Sequence, residues 1–553
     1  MEQIVFINGK VTSEFVSKFN DTKLFSYQEN KELDVEGFSL PPEQKEKIRL
    51  SVISGIVEFY NRFDYLFLQF QNTTGLNFWF LEHHRLNFSL IEKSLNKALI
   101  KAFKLQYPHS RIEVPNVKEA PLNRLNRLKR VLAEIVFIIK VSISRPKKLT
   151  GNVIFHNEGG TNYSVKELFG DLAKEFNVFK LRSVFDIKKP LPNIRLFDEF
   201  INSDQFFLKI ITSFSAWKKF YKFDRSLIKL FRSFEQNTFT ELDQSIYNHL
   251  ITKKKYFGVL FFRYLSFDNL FEDNTLRSLI ISDENSPQQK VIQYAAVKNN
   301  VKVFAIQHGA IYRYHFAYTY GEYTNRPIQP TVTLTWGEYY NNVLLKYGGY
   351  NADQVCAVGS LRKKGIDTSS DLRVQSGKKT VLFATQPIPD ETLRVQQLKD
   401  VFECFSMLSD HFQLIVRPHP NEKEDKYFEE IATLVSFKHL VIERGIEIEE
   451  HFRIADVLIT AYSTVGAEFV EYFKPIIVLD YLKEDLVGYV KEGVGIPVAN
   501  KYDLLQTFNS SEIKIDKIAF QKFIKSFFYA SDGKAAQRII AAVESYSLKQ
   551  DNN

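Results

Sequence analysis

The stretch "HFQLIVRPHPNEKEDKYFEEIATLV", residues 411–435, changes its pattern halfway along. It opens with an apolar run typical of a buried strand and closes with the apolar spacing of an amphipathic helix. Between the two lie Arg417 and His419, and the histidine stands between Pro418 and Pro420. Proline fixes its own backbone and restricts the residue before it, so the loop is held extended and His419 has little freedom to turn inward. The stretch predicts a strand–loop–helix unit with a rigid, polar loop.

Similar units recur in two series along the chain. The first series begins at "NVIF", 152–155, and includes "SLIIS", 278–282; another unit is expected at "KYFGVLFFRYLSF", 255–267. The second series starts near residue 378. Strands that alternate with helices predict parallel sheets with ligand-binding loops at the carboxyl ends of the strands. The predicted fold class is therefore α/β, with two Rossmann-like doubly wound domains facing a cleft and a largely helical N-terminal extension.

The chain has 553 residues, more than one core usually holds, so several domains are expected. We expect an N-terminal extension over 1–150, a first Rossmann-like domain over 151–345, a second one over 346–525, and a closing helix with a tail over 526–553. The extension is either part of the first domain or a separate module.

Composition favours a cytoplasmic protein. The two cysteines cannot build a disulfide framework, and the start "MEQIVFINGK" lacks the pattern of a secretory signal. No apolar stretch reaches the ~18–20 residues of a membrane span. The basic segment 124–148 is either an amphipathic helix on the inner face of the membrane or a buried helix with solvated ends. No recognisable nucleic-acid module accompanies the charge, so nucleic acid is not an expected partner.

Two loops supply candidate phosphate ligands in the second series. Arg417 and His419 offer two donors suited to a pyrophosphate or to a leaving-group phosphate. In "ITAYSTVGAEF", 459–469, Ser463 and Thr464 stand at the start of a predicted helix, where free N–H groups favour an anion. The alternatives are a rigid surface turn in the first loop and simple helix capping in the second.

The same helix start carries two further candidates. Gly466 permits a close approach of the backbone to a neighbour. Glu468 either accepts hydrogen bonds from a ribose diol or serves as a favourable first-turn charge. In the first series, His308 ends the strand "VKVFAIQ" and is followed by Gly309. An imidazole there can bond a phosphate oxygen or act as acid or base, or else it is satisfied by its own loop.

In chain order, "QHG", "WGE…GS", "RPHP" and "YST..AE" resemble the bacterial cell-surface polysaccharide transferases of the GT-B fold. These include capsule Kdo transferases, bacterial sialyl- and polysialyltransferases, and CDP-glycerol glycerophosphotransferases. The resemblance covers roughly 279–500. It implies that both His308 and His419 matter in a glycerophosphotransferase, and that His419, Ser463 and Thr464 bind the nucleotide phosphate in a CMP-sugar enzyme.

The resemblance also implies an acidic base in a loop after a first-domain strand. "NEGG", 157–160, lies in such a loop, which makes Glu158 the candidate general base with Gly159 beside it; the alternative is an ordinary turn. Asp283 and Glu284 end another strand and are the next candidates. No metal-ligand pattern and no cofactor motif is present, so a metal-independent reaction is expected.

The predicted function is a glycosyltransferase that builds a bacterial surface polysaccharide from a nucleotide sugar and a glycan or glycolipid acceptor. The domain over 151–345 is then the acceptor side, and the domain over 346–525 binds the nucleotide-sugar donor. The sequence reads "AYST", 461–464, where teichoic acid enzymes usually have "DYSS", which favours a CMP-Kdo or CMP-sialic-like donor. One alternative is transfer of a polyol phosphate from CDP-glycerol or CDP-ribitol, with His308 as the base. Another is a non-catalytic binding protein with a degenerate transferase fold. The acceptor, the stereochemistry and the oligomeric state stay open.

Overall fold

A computed structural model of the chain describes residues 3–8, 16–19, 22–26, 35–38, 40–113, 153–156, 168, 171–172, 174–176, 178–182, 200–202, 209–235, 237, 239–272, 276–282, 284–313, 315, 317–318, 320, 323–325, 327–361, 377–388, 391–420, 422, 424–445, 447–510 and 513–548. The chain divides into two compact units. The His419 unit comprises Met1–Lys47, Leu95–Glu119 and Ile366–Phe527, and the His308 unit comprises Ile48–Ser94, Ala120–Gly365 and Phe528–Asn553.

The strands are β1 Gln3–Ile7, β2 Thr22–Ser26, β3 Val35–Gly37, β4 Arg111–Glu113, β5 Val153–His156, β6 Val178–Arg182, β7 Phe200–Asn202, β8 Ser278–Ile281, β9 Lys302–Ile306, β10 Val332–Thr335, β11 Val355–Ala357, β12 Lys379–Ala384, β13 Phe412–Arg417, β14 Val441–Ile442, β15 Val457–Thr460, β16 Ile476–Leu479 and β17 Gly495–Val498. The helices are α1 Pro42–Thr74, α2 Phe78–Gln106, α3 Phe214–Glu235, α4 Glu241–Thr252, α5 Lys254–Glu272, α6 Pro287–Lys298, α7 Glu338–Tyr347, α8 Glu391–Met407, α9 Lys426–Leu434, α10 Ile448–Ile454, α11 Thr464–Phe469, α12 Lys501–Asn509, α13 Lys517–Phe528 and α14 Ala535–Leu548.

The His419 unit contains a six-stranded sheet in the order β14-β13-β12-β15-β16-β17. All of its strand pairs are parallel. Numbered by their place in this unit, the strands run 3-2-1-4-5-6, which is the Rossmann order. The direction of winding reverses between β12 and β15, and this switch point is where such sheets open a crevice for a ligand.

Continuous apolar runs explain why these strands are central. β12 and β15 are buried along nearly their whole length, as expected for parallel strands covered on both faces. Alternate residues of a strand point to the same face, so Val381 and Phe383 of β12 enter one core with Val416 of β13 and Ile459 of β15. The polar residues therefore begin where each strand ends.

The same unit also holds a small parallel sheet, β3-β2-β1-β4, whose strands lie within the first 113 residues. The N-terminal region is largely helical, as predicted, with α1 and α2 as its main elements. The small sheet was not anticipated, because its strands are three to five residues long and their alternation is weak. A buried ion pair links Lys45, at the start of α1, to Glu484 in the loop after β16 (3.2 Å).

The His308 unit contains a seven-stranded parallel sheet in the order β11-β10-β9-β8-β5-β6-β7. Its switch point lies between β5 and β8, so this sheet also winds in the Rossmann manner. β11 pairs with β10, and the sheet thus continues past the predicted boundary at 345/346. Ile539 and Val543 of α14 pack in one core with Phe304 and Leu334. The parallel α/β sheets and the helical N-terminal region confirm the predicted fold class.

One predicted strand is wrong. Residues 255–267 were expected to begin with a strand, but they lie inside the helix α5. The buried residues of α5, such as Phe257, Leu260, Phe261 and Tyr264, recur at helical spacing. Short apolar runs do not distinguish a strand from a buried helix, and the aromatic residues here pack against the aromatic faces of neighbouring helices.

Candidate functional site

Three loops follow neighbouring strands at the carboxyl edge of the six-stranded sheet. β12 leads to Thr385 and Gln386, β13 leads to a loop with His419 and Glu422, called the His419 loop below, and β15 leads to Ser463. The backbone N–H of His419 donates to Thr385 Oγ1 (3.3 Å). In the loop after β15, the backbone N–H of Tyr462 donates to Gln386 Oε1 (2.8 Å). The two predicted phosphate-binding loops are therefore joined through the β12 loop, which was not predicted.

His419 is half-buried and lies between a buried Pro418 and an exposed Pro420. Its backbone N–H also donates to Glu422 Oε2 (3.0 Å), and its carbonyl accepts from the N–H of Glu422 (2.8 Å). The loop is thus fixed by hydrogen bonds as well as by its prolines. His419 follows β13, the neighbour of β12, so its loop lies one strand from the switch point between β12 and β15, where such sheets bind ligands.

Arg417, the last residue of β13, is also half-buried. Its Nη1 donates to the carbonyl of Glu443 (3.4 Å). Burial lowers the pKa of the Arg417 guanidinium from its ordinary value, and the carboxylate of Glu443 opposes that shift. A guanidinium keeps its charge at neutral pH regardless, so Arg417 brings a fixed positive charge to this edge.

Ser463 caps the short helix α11, and its hydroxyl accepts from the N–H of Val465 (3.3 Å). A buried tyrosine, Tyr489, holds this helix start: its hydroxyl donates to the carbonyl of Ser463 (2.5 Å) and accepts from the N–H of Ala467 (2.8 Å). A Cβ on Gly466 would lie 2.8 Å from the Tyr489 ring. The close neighbour that requires this glycine is therefore Tyr489.

Two other candidates on α11 have different surroundings. Thr464 is half-buried, whereas Glu468 is 5 % exposed and faces the interior of the unit. The position of Glu468 places it among buried groups at the end of the helix, and nearby Tyr489 has a pKa raised by burial. Contact between Glu468 and a ribose stays a prediction.

In the other unit, His308 follows β9 and is exposed. The residue before it, Gln307, is buried and fixes the loop: its Oε1 accepts from the N–H of Trp336 (2.8 Å), and its Nε2 donates to the carbonyl of Gly309 (2.7 Å). Within the described residues, no atom lies within 4 Å of where a Cβ of Gly309 would stand. His308 therefore projects from a braced loop and is open to a reactant.

Of the acidic candidates in the first series, Glu284 lies within the described residues. Glu284 is 1 % exposed and accepts a hydrogen bond from Thr333 Oγ1 (2.9 Å), so it lies inside the fold. Glu158, Gly159 and Asp283 lie outside the described residues. Strands β5 and β8 pair with each other at the switch point of this sheet.

A pair of histidines on α2 was not predicted to be near any site. His83 is 1 % exposed and stacks on Tyr320 with ring centres 4.4 Å apart, while its Nε2 lies 3.0 Å from Asn87 Nδ2. Burial lowers the pKa of His83 to about 3, and the positive charge of Lys290 adds to the effect. His83 is therefore neutral at physiological pH and belongs to the interior.

Its neighbour His84 reaches the loop that carries His308. The rings of His84 and His315 are 6.1 Å apart, and His315 Nδ1 accepts from the N–H of Ala317 (3.3 Å). Burial lowers the pKa of His315 to about 3, with His84 and His308 close enough to contribute. The N-terminal helix α2 thus helps to form the surroundings of His308, a role that the sequence left open. Among the described residues, no group of His, Cys, Asp or Glu is arranged to hold a metal ion.

Comparison with known proteins gives a family match over part of the chain. Residues 289–545 match the family CDP-Glycerol:Poly(glycerophosphate) glycerophosphotransferase. This segment is just under half of the chain and includes both His308 and the His419 loop. The match indicates a transferase of the glycosyl or glycerophosphate type. Of the three groups that the motifs resemble, it supports the glycerophosphotransferases and not the Kdo or sialyl enzymes.

Solved structures that match the chain include the wall teichoic acid polymerase TagF, at 14% identity over 78% of this chain and 100% of that chain, with a TM-score of 0.42. The complex of S. aureus MnaA with UDP matches at 14% identity over 72% of this chain and 97% of that chain, with a TM-score of 0.43. A putative UDP-N-acetylglucosamine 2-epimerase from Listeria monocytogenes has 14% identity over 72% and 97%, with a TM-score of 0.42. No curated protein sequence matches the chain.

Proposed function

We propose that the protein transfers a polyol phosphate, in the first place glycerol phosphate, from a CDP-activated donor to a growing surface polymer. The observation that carries this proposal is the glycerophosphotransferase match over 289–545, because that segment contains both His308 and the His419 loop. This is the alternative that the sequence left open, and the match favours it over a CMP-sugar donor. We assign the donor to the His419 unit and the proton acceptor to the His308 unit.

In this reaction a hydroxyl of the acceptor attacks the phosphorus that bears the polyol. A new oxygen–phosphorus bond forms, the pyrophosphate bond breaks, and CMP leaves with the bridging oxygen. The imidazole of His308 is exposed and takes the proton of the hydroxyl. Charge that develops on the leaving phosphate meets the guanidinium of Arg417 and the imidazole of His419.

A second donor class is supported by one feature of the site. Ala461 stands where the teichoic acid enzymes resembled by this sequence usually have an aspartate. That departure favours a CMP-activated acidic sugar, for which Ser463, Thr464 and His419 would hold the single phosphate. The base would then be an acidic group, with Glu158 as the candidate.

The two donor classes differ in whether phosphorus from the donor becomes part of the polymer. Purified protein is incubated with a polyol-phosphate glycolipid primer and with CDP-glycerol, CDP-ribitol or CMP-Kdo in separate reactions. Release of CMP together with phosphorus entering the polymer supports polyol-phosphate transfer. Release of CMP with a sugar acid in the product supports the second class. If the primer accepts nothing from any donor although the protein is folded, the proposed transfer is wrong.

Three histidine variants separate the roles. His308→Ala should lower kcat by about 10²–10⁴-fold because it removes the base. His419→Ala should mainly raise the KM for the donor, since it removes a phosphate contact. His439→Ala changes an exposed histidine of the His419 unit and is the matched control. Equal activity of His308→Ala and His439→Ala would contradict the base assignment.

The proposal includes contact with an anionic membrane surface, because the acceptor polymer is expected on a lipid. The segment 124–148 lies outside the described residues. Support comes instead from α3, whose Phe214, Trp217 and Tyr221 are 86 %, 51 % and 57 % exposed. Exposed lysines accompany these rings on the helix, namely Lys218, Lys219 and Lys222. Exposed aromatic rings with basic neighbours are typical of helices that lie on a bilayer.

Among the described residues, no helix is long and apolar enough to cross a membrane. Surface contact is tested by sedimentation with phosphatidylglycerol vesicles and with phosphatidylcholine vesicles. Wild-type protein should sediment with the anionic vesicles, and Trp217→Ala combined with Lys218→Ala should do so less. Equal sedimentation of wild type and double variant would remove α3 from the proposal.

A further inference from the structure

The His419 loop contains a buried carboxylate that the sequence does not single out and that has no role in the proposed reaction. Glu422 is 8 % exposed and lies three residues after His419. Carboxylates are rarely buried unless they are paired or hydrogen-bonded, because removal from water is costly. Glu422 therefore needs a structural reason for its position.

One oxygen of Glu422 is bonded to the chain that carries His419. Its Oε2 accepts from the backbone N–H of His419 (3.0 Å) and from the hydroxyl of Thr385. The same N–H also lies 3.3 Å from Thr385 Oγ1. Thr385 is itself fixed by sheet pairing, since its N–H donates to the carbonyl of Arg417 (3.1 Å). The carboxylate thus ties His419 to the end of β12.

The other oxygen faces a cation. Arg394 Nη1 lies 4.0 Å from Glu422 Oε1, and Arg394 is held in turn by Tyr427, whose hydroxyl accepts from its Nε (2.8 Å). The guanidinium also lies over the Tyr427 ring, 4.1 Å from the ring centre. Arg394 belongs to α8 and Tyr427 to α9, so two helices fix the position of the carboxylate.

We propose that Glu422 is a positioning residue that holds the backbone of His419 so that its imidazole meets the phosphate of a nucleoside diphosphate. The inference rests on the proposed function in so far as His419 contacts the donor. Glu422 Oε2 contacts the backbone N–H of His419 and the hydroxyl of Thr385, so it acts on the chain that carries the imidazole. Rigid support of this kind preserves the geometry that phosphate contact requires, and small displacements are costly.

A double-mutant cycle with CDP as the probe tests the inference. The dissociation constant is measured for wild type, Glu422→Ala, His419→Ala and the double variant. If Glu422 acts through His419, Glu422→Ala weakens binding by about tenfold in the wild-type background and by less than about twofold without the imidazole. Glu422→Gln, which keeps an acceptor for the N–H, should restore part of the loss. Glu424→Ala changes an exposed glutamate of the same loop and should bind as wild type does.

A second readout does not depend on the donor. The protein has 11 histidines, few enough for selective labelling and assignment of the His419 ring signal by NMR. That signal should move or broaden in Glu422→Ala and stay in place in Glu424→Ala. Thr385→Val, which replaces the hydroxyl by a methyl group of similar size, serves instead if Glu422→Ala does not fold.

The results separate the two proposals. If wild type binds no CDP, the donor assignment fails, while the ring signal still decides the role of Glu422. If Glu422→Ala weakens CDP binding equally with and without His419, or if the ring signal matches wild type, the positioning role is overturned. A lower melting temperature with unchanged binding and unchanged ring signal also overturns it, because Glu422 would then serve stability alone.

Discussion

Acidification should destabilise the His308 unit through His83. The imidazole is buried among Tyr320, Asn87 and Lys290, and burial lowers its pKa from 6.5 to about 3, helped by the charges of Lys290 and His84. The His83 imidazole therefore binds a proton more tightly in the unfolded chain than in the folded chain. The contribution of His83 is complete above pH 6.5 and is lost as the pH falls toward 3. Between pH 7.5 and pH 5 the expected loss is about 2 kcal/mol.

The loss can be measured by urea unfolding followed through tryptophan fluorescence. All three tryptophans, Trp79, Trp217 and Trp336, belong to the His308 unit, so the signal reports that unit. His83→Gln keeps a partner for Asn87 and cannot take up a proton. Its free energy of unfolding should fall by about 2 kcal/mol less than that of wild type between the two pH values. His308→Gln changes an exposed histidine of the same unit, so it is the control and should follow wild type. Equal losses in wild type and His83→Gln would refute the argument.

Three further predictions concern the His419 unit and the cysteines. Tyr489→Phe leaves the buried N–H of Ala467 without its acceptor, so the free energy of unfolding should fall by about 1–3 kcal/mol. Urea titrations followed by circular dichroism measure this loss, and no change would contradict the hydrogen bonds described. Lys45→Met should cost about 3–5 kcal/mol in the same titrations, because Glu484 loses its buried cation, and an added Glu484→Leu should recover most of it. Burial raises the pKa of the Cys404 thiol to about 12, whereas Cys356 is half-buried. A thiol reagent at pH 8, with the products followed by mass spectrometry, should therefore label Cys356 first. Faster labelling of Cys404 would contradict its burial.

The second series of strands could be predicted because each strand is a short apolar run that ends at a polar loop. This pattern predicts that Arg417, His419 and Ser463 lie near one another, since residues after parallel strands gather at one edge of the sheet. The order of the strands could not be predicted, because nothing in β14 or β15 specifies which neighbour it pairs with. The sequence also did not indicate which polar residues are exposed. Glu284 and His308 both follow strands, yet Glu284 is buried and His308 is exposed.

The supporting contacts could not be found from the sequence for a related reason. Thr385 and Glu422 act on a backbone N–H, and such contacts leave no spacing pattern that distinguishes them from other polar loop residues. Tyr489 lies 26 residues from Ser463, in a loop with no regular period. The error at α5 has another cause, because a buried helix and a strand share the same apolar composition when both faces are covered.

The His419 unit is assembled from three separate parts of the chain, and this has a consequence during synthesis. Lys45 emerges from the ribosome 439 residues before its partner Glu484. At about 5–20 residues per second, the N-terminal strands wait roughly 20–90 s for the segment that completes their unit. Throughout that interval the small sheet, whose edge strands are β3 and β4, lacks the rest of its unit, and uncovered strand edges are templates for aggregation. A chaperone that shields the nascent N-terminus should therefore raise the yield of folded protein more than one added after release.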